Sequence, residues 1–190
     1  YRIASHFLWM KPYYLFEKID EISGIDTIAQ LNLMMNYKLL AAQKAALPKL
    51  NDVEFRVYSE NGEDDMLLYI FSLIGTTNKK AVEICGGDGI QNCTANLIIN
   101  HGWQGYLFEG NPERVKTAKQ FYFDTVNTKQ WPPVIANEWI APETINATLK
   151  KHNCIGEVDL LSLDMDGVDY WVWDAITEIS PRVFICEFNN

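Results

Sequence analysis

Apolar residues in this chain form short, nearly continuous runs, and these runs alternate with segments of mixed polarity. The runs predict β-strands at residues 81–86, 105–109, 133–137, 158–164 and 182–188. The four segments between these strands predict helices at residues 91–101, 112–123, 143–152 and 169–178. Uniformly apolar strands are typical of a sheet that is covered on both faces. We therefore expect an α/β fold with a doubly wound, mainly parallel, Rossmann-like sheet.

The first 50 residues follow a different pattern and predict an N-terminal helical segment before a domain at residues 51–190. A helix is expected from Asp26, a start signal, to Leu47, just before the stop at Pro48. Its apolar positions are Ile28, Leu31, Met34, Leu39 and Leu40. We expect this face to pack on the core, and the alternative is that it forms a homo-oligomer. A further helix, 66–74, is predicted to be buried and follows a loop and cap at 59–64.

Charge and cysteine content narrow the range of partners. The chain has 190 residues, with 16 Lys and Arg against 25 Asp and Glu, a net charge of −9. This balance disfavours nucleic acid and anionic membrane surfaces as partners, and no apolar run approaches the roughly 20 residues of a membrane span. The four cysteines lack zinc-site spacing and no secretory signal is visible, so we expect a cytoplasmic protein with reduced thiols.

A glycine-rich turn and one carboxylate carry the clearest chemical signal. Gly86, Gly87 and Gly89 follow the first predicted strand, and Glu109 ends the second. Glycine lets a ligand approach the backbone closely, and a carboxylate after the next strand accepts hydrogen bonds from ribose hydroxyls. Together these features predict a nucleoside-binding crevice at the carboxyl edge of the sheet.

The spacing of the glycines favours one class of nucleoside over another. It differs from the G-x-G-x-x-G pattern of dinucleotide-binding proteins, and it fits better the E-x-G-x-G-x-G turn of class I S-adenosylmethionine-dependent methyltransferases. Glu83 leads that pattern, while Cys85 stands in place of its first glycine and is tolerated there if its φ is negative. Glu83, Asp88 and Glu109 would also repel a pyrophosphate. A nicotinamide-dependent oxidoreductase is the alternative.

Four segments, 59–64, 83–89, 102–105 and 161–171, resemble the FkbM-type methyltransferases and their close relatives. That resemblance implies O-methylation of a hydroxyl on a sugar, a glycan or a polyketide-type small molecule. The cofactor-binding residues that it implies are Glu83, Gly86, Gly87, Gly89, Asn92, Glu109, Asn111, Asn137, Glu138 and Asp164. It also implies two more strands, so we expect a domain that is truncated after the fifth. A non-catalytic binding module with the same fold is a further alternative.

Acidic residues follow the last two predicted strands and are the candidates for catalysis. Asp164 and Asp166 follow the fourth strand and Glu187 follows the fifth, so their carboxylates are expected at one rim of the sheet. Oxygen ligands of this kind suit Mg²⁺ or another divalent cation, which would hold the acceptor hydroxyl. Alternatively, Asp164 or Asp166 is a metal-free general base. In a third interpretation, Asp166 and Gly167 form a turn and Asp169 caps the next helix.

Overall fold

A five-stranded, all-parallel sheet forms the centre of the protein in the computed structural model, which describes residues 25–186. Its strands are β1 (Lys80–Ile84), β2 (Gln104–Glu109), β3 (Val134–Asn137), β4 (Gly156–Leu163) and β5 (Ile179–Cys186). Their order across the sheet is β3-β2-β1-β4-β5. The predicted α/β fold with a parallel sheet is therefore confirmed, and all five strands were predicted to within three residues of their starts.

Six α-helices accompany the sheet within the described residues. They are α1 (Ile25–Ala42), α2 (Glu63–Ile74), α3 (Ala95–His101), α4 (Pro112–Asp124), α5 (Ile145–Lys151) and α6 (Asp169–Ala175), with a short 3₁₀ helix at Leu50–Asp52. Alternate strand residues enter two separate apolar clusters. One cluster contains Val82 and Leu161 with residues of α5 and α6, and the other contains Ala81 and Leu160 with residues of α2 and α3. Helices thus cover both faces, as in a doubly wound sheet.

The direction in which strands are added reverses at the centre of the sheet. Ile84 at the end of β1 pairs with Phe108 of β2 on one side and with Leu163 of β4 on the other. The chain places β2 and β3 to one side of β1, and then β4 and β5 to the other. Such a switch point opens a crevice outside the carboxyl ends of the strands, where ligands bind in open α/β sheets.

Helix α1 ends at Ala42, five residues before the predicted end. Lys44 adopts a left-handed backbone with φ +54°, and the Ala45 N–H donates to the Leu40 carbonyl at 3.0 Å. This is the hydrogen-bonding pattern of a Schellman motif, which closes a helix by means of local backbone geometry. Pro48 therefore lies beyond the helix and does not terminate it.

The expected core packing of α1 is confirmed only in part, because three of the five apolar residues named for its face are exposed. Ile28, Leu31 and Leu39 are each about half exposed or more. Other residues of the helix do pack on apolar clusters: Met34 contacts the cluster that contains Leu160, and Tyr37 packs with Val53 and Tyr69. The Tyr37 hydroxyl also donates to Asp65 Oδ2 at 2.8 Å. Homo-oligomerisation through this segment remains a prediction. Within residues 25–186, no helix combines the length and the apolar character needed to cross a bilayer.

Three other helices are shorter than predicted, and one of them is α5, which spans Ile145–Lys151 and not 143–152. Helix α3 begins at Ala95 and not at residue 91, because Asn92 Oδ1 accepts the Ala95 N–H at 2.8 Å and holds the preceding residues in a turn. Helix α6 ends at Ala175 and not at residue 178, where Ile176 turns to an extended conformation. Residues 85–88 of the glycine turn, which precede this irregular segment, are half-buried.

Candidate functional site

The glycine turn joins β1 to α3 at the switch point of the sheet. The Cys85 N–H donates to the Phe108 carbonyl at 2.8 Å, and the Gly89 N–H donates to the Gly86 carbonyl at 3.0 Å. Gly87 is half-buried with φ +58°, and a Cβ added there would meet only Arg114 Nη1, 3.9 Å away. The backbone at Gly87 is therefore open on one side and can be approached by a ligand.

Cys85 takes the left-handed conformation that its place in the glycine pattern requires. Its φ is +62°, so the condition of a negative φ, under which a cysteine would be tolerated at this position, is not met. Burial, together with the smaller effect of the carboxylates of Glu109, Asp164, Asp169 and Glu83, raises the pKa of its thiol to about 11. The thiol therefore stays protonated at neutral pH and is not a nucleophile.

Glu109 links the end of β2 to the glycine turn. Its side chain is 9% exposed, Oε2 accepts the Gly87 N–H at 3.1 Å, and Oε1 accepts the Asn111 N–H at 2.7 Å. The structure thus brings together the turn and the carboxylate, as the sequence analysis expected. A carboxylate oxygen has two acceptor sites, so each oxygen can also accept a ligand hydroxyl.

Glu83 lies beneath the turn. Its side chain is 2% exposed, and a Cβ at Gly86 would lie 2.6 Å from Glu83 Cγ. Oε2 accepts the Thr94 N–H at 3.1 Å. The pKa of Glu83 is raised to about 7, because burial and, to a smaller extent, the charge of Asp164 outweigh the hydrogen bonds from Ser162 and Thr94, which lower it. Buried beneath the turn and hydrogen-bonded to Thr94, Glu83 supports the turn, and its contact with a cofactor stays a prediction.

Asn92 and Asn111 hold the helices on either side of the turn. Asn92 is 6% exposed, and its Oδ1 accepts N–H groups at the start of α3. Asn111 caps α4, where its Oδ1 accepts the Glu113 N–H at 2.9 Å. These oxygens satisfy helix termini, which positions the backbone around the crevice.

The two candidates at the end of β3 have different partners, one in β2 and one at the end of α5. Asn137 Nδ2 donates to the carbonyls of Glu109 and Gly110, both at 2.9 Å. Glu138 Oε1 lies 2.7 Å from both Lys151 Nζ and His152 Nε2, and these two partners lower its pKa. Asn137 is therefore next to the ribose candidate Glu109, while Glu138 is engaged with α5.

Trp139 is a residue at this edge that the sequence analysis missed. Its indole is 79% exposed and lies against Gly110, where an added Cβ would come within 2.9 Å of Trp139 Cε3. The available signal was an aromatic residue directly after a strand end, next to the two polar candidates. An exposed indole beside Glu109 offers a flat surface for an aromatic base.

The loop after β4 carries the two candidate catalytic residues. Asp164 and Asp166 are both exposed, and the Asp164 N–H donates to the Ile84 carbonyl at 3.3 Å, which places it at the end of β1. Asp169 is buried and accepts the N–H groups of Met165 at 3.1 Å and Gly167 at 3.2 Å. The alternative in which Asp169 caps α6 is not confirmed, because Asp169 is the first helical residue and its side chain holds the preceding loop.

The carboxylates at this edge give it a negative charge but do not form a recognisable metal cluster. Within residues 25–186, no three His, Cys, Asp or Glu side chains are grouped so that they could hold a metal ion. Glu187, the third predicted ligand, lies outside the described residues. A divalent cation held by Asp164, Asp166 and Glu187 therefore remains a prediction.

Comparison with protein-family models, with curated proteins and with solved structures found no significant match to this chain. The resemblance to FkbM-type methyltransferases therefore rests on the motifs alone. Function is inferred from the chemistry of the crevice at the carboxyl ends of β1, β2 and β4.

Proposed function

We propose that this protein is an S-adenosylmethionine-dependent O-methyltransferase that acts on a hydroxyl of a sugar, a glycan or a polyketide-type small molecule. The observation that carries the proposal is the 3.1 Å hydrogen bond from the Gly87 N–H to Glu109 Oε2. It joins an open glycine turn and a ribose-type carboxylate at the switch point of a parallel sheet.

The residues at the crevice suit the parts of the proposed cofactor. Glu109 would accept the ribose hydroxyls, Trp139 and Asn137 would adjoin the base, and the open backbone at Gly87 would accommodate the methionine portion. The surrounding carboxylates favour a ligand that carries an ammonium and a sulfonium charge. S-adenosylmethionine supplies, when bound, a methyl group that is activated by positive sulfur.

Asp164 and Asp166 would act on the methyl acceptor. In the proposed reaction the acceptor oxygen forms a bond to the methyl carbon while the carbon–sulfur bond breaks, and the electron pair remains on sulfur. The hydroxyl proton passes to the carboxylate of Asp164 or Asp166, because a neutral hydroxyl is a poor nucleophile. Orientation of the acceptor in line with the breaking bond would provide much of the rate enhancement.

One observation favours the nicotinamide-dependent alternative. The Arg114 guanidinium lies near Gly87 and would offset part of the repulsion between the acidic edge and a pyrophosphate. The third possibility, a non-catalytic module, predicts cofactor binding without turnover.

Calorimetric titration with S-adenosylhomocysteine and with NAD⁺ tests the proposal. We expect S-adenosylhomocysteine to bind, and Glu109→Gln to weaken that binding about 10- to 100-fold, since hydrogen bonds to a charged acceptor contribute about 1.5–3 kcal/mol. The matched control is Glu113→Gln, at an exposed position on α4, which should leave the affinity unchanged. Circular dichroism and thermal unfolding would verify that both variants fold. Binding of NAD⁺ in place of S-adenosylhomocysteine would refute the proposal.

The same titration separates the two forms of the mechanism. If a divalent cation assists, MgCl₂ should bind to the wild-type complex with S-adenosylhomocysteine, and Asp166→Asn should weaken that binding. If the carboxylates act as bases alone, added MgCl₂ should produce no heat of binding beyond dilution.

A further inference from the structure

Two aromatic side chains on the first turn of α6 remain exposed beside the acidic loop. Tyr170 is 64% exposed and Trp171 is 61% exposed, and their ring centroids lie 5.1 Å apart at an interplanar angle of 80°. Trp173, two residues further on, is by contrast stacked on Phe184 at 4.1 Å and packed against the core. We call Tyr170 and Trp171 the aromatic pair. Its exposure leaves apolar area available for a ligand.

The segment that carries the aromatic pair is acidic and contains no cationic residue. Residues 164–175 include four aspartates and no Lys, Arg or His. Two of the aspartates, Asp164 and Asp166, are exposed in the loop that leads directly into the pair. The two lysines at the end of α5 form ion pairs with other residues: Lys150 Nζ lies 3.1 Å from Glu178 Oε1, and Lys151 Nζ lies 2.7 Å from Glu138 Oε1. A phosphorylated ligand would be repelled from this surface.

We propose that the aromatic pair is the docking surface for a neutral carbohydrate acceptor. The C–H face of a pyranose packs on an aromatic ring, and its hydroxyls donate to carboxylate oxygens. A sugar seated on Tyr170 and Trp171 would present a hydroxyl to Asp164 and Asp166. This narrows the acceptor from a sugar, a glycan or a polyketide-type molecule to uncharged saccharides and excludes sugar phosphates. The assignment of the saccharide as methyl acceptor rests on the proposed function, whereas saccharide binding itself does not.

Saturation-transfer NMR with defined saccharides tests this assignment. The probes are the neutral hexasaccharides of glucose, mannose and N-acetylglucosamine, with methyl glucoside and glucose 6-phosphate as a pair that differs in charge. We expect at least one hexasaccharide to bind and Trp171→Ala to weaken its binding about tenfold or more. Glucose 6-phosphate should bind more weakly than methyl glucoside.

The control variant is Trp131→Ala. Trp131 is 78% exposed, but its Nε1 donates to Gln104 Oε1 at the amino end of β2, on the opposite edge of the sheet. This variant should leave saccharide binding unchanged. Trp171→Ala should also keep the wild-type affinity for S-adenosylhomocysteine, which shows that the variant is folded.

The possible failures are distinguishable. Binding of S-adenosylhomocysteine without any hexasaccharide would overturn the carbohydrate assignment and leave the proposed function intact. Saccharide binding without S-adenosylhomocysteine would support the docking surface and contradict the methyltransferase. If no saccharide binds and Trp171→Ala converts a dimer to a monomer in light scattering, the aromatic pair is a protein interface and the assignment is wrong.

Discussion

Cys85 holds a backbone conformation that costs an L-amino acid free energy. Its φ of +62° lies in the left-handed region. There the Cβ comes too close to the following carbonyl oxygen, at a conformational cost of roughly 1–2 kcal/mol. We expect Cys85→Gly to be more stable than Cys85→Ala by on the order of 1 kcal/mol, because both lose the thiol but only alanine keeps a Cβ. Urea denaturation of the two variants measures this difference. Equal stabilities would contradict a left-handed conformation at residue 85.

Glu83 makes the stability of the protein depend on pH. Burial raises its pKa to about 7 from 4.5, so between these values the folded protein binds a proton that the unfolded chain has released. The contribution of Glu83 therefore becomes less favourable as the pH rises from 4.5 through 7, by on the order of 3 kcal/mol in total.

Replacement by glutamine isolates this contribution. Other groups titrate equally in wild type and Glu83→Gln, so the difference between their unfolding free energies reports residue 83 alone. We expect the variant to gain stability relative to wild type as the pH rises from 5 to 8. Glu113→Gln, at an exposed position, should show no such trend. A pH-independent difference for Glu83→Gln would mean that the carboxyl is ionised throughout this range.

At the scale of elements, a buried Tyr–Asp hydrogen bond joins α1 to α2. Tyr37 donates to Asp65 Oδ2, and burial raises the pKa of Asp65 to about 6 although the Tyr37 hydrogen bond opposes the rise. Tyr37→Phe should destabilise the protein by about 1–3 kcal/mol. The loss should be greater at pH 8 than at pH 5, because at pH 8 an ionised carboxylate loses its donor. Chemical denaturation of wild type and Tyr37→Phe at both pH values measures this loss of stability.

Tyr69 provides a matched control for this prediction. Its ring packs edge-on against that of Tyr37, with the ring centroids 4.8 Å apart. Its hydroxyl donates to the neutral carbonyl of Pro48 at 2.8 Å. Tyr69→Phe should therefore carry a cost that does not change with pH. In an Asp65→Asn background the cost of Tyr37→Phe should also become independent of pH. A pH-dependent loss in that background would assign the effect to another group.

At the scale of the whole molecule, the sheet was predictable because burial on both faces produces uniform apolar runs. Strands as short as Val134–Asn137 were found in this way. The approach of Glu109 to the glycine turn was predictable as well, since adjacent parallel strands place their carboxyl ends at one edge.

Other features depend on contacts that the local sequence does not reveal. The start of α3 is set by the side chain of Asn92, and the end of α1 by the left-handed backbone of Lys44. The exposed face of α1 was misjudged because apolar residues lie on more than one side of it, and periodicity alone does not identify the buried side. Asn137 and Glu138 are neighbours in sequence, but Asn137 bonds to β2 and Glu138 to residues at the end of α5. This difference likewise could be seen only in the tertiary structure.

Asp159 connects distant parts of the chain at the amino edge of the sheet. Its carboxylate is fully buried and accepts the N–H groups of Thr77, Asn78 and Lys79 at 2.7–3.0 Å. It also lies 2.7 Å from Arg182 Nη1, and the same guanidinium donates to two carbonyls at the end of α2. One side chain thus ties together β4, β5, α2 and the loop that begins β1.

Asp159→Asn should be among the most destabilising single changes in this protein. The amide would turn a donor toward groups that are themselves donors and would leave the Arg182 charge without a partner, at a cost of about 3–5 kcal/mol. Burial alone would raise the pKa of Asp159, but Arg182 and the three N–H groups lower it. The stability that ionised Asp159 contributes is therefore present above pH 3.8, its ordinary pKa, and is lost as the pH falls through the lowered pKa. Glu157→Gln, at an exposed position on the same strand, should cost little. Comparable urea midpoints for the two variants at pH 7 would mean that Asp159 does not hold these elements together.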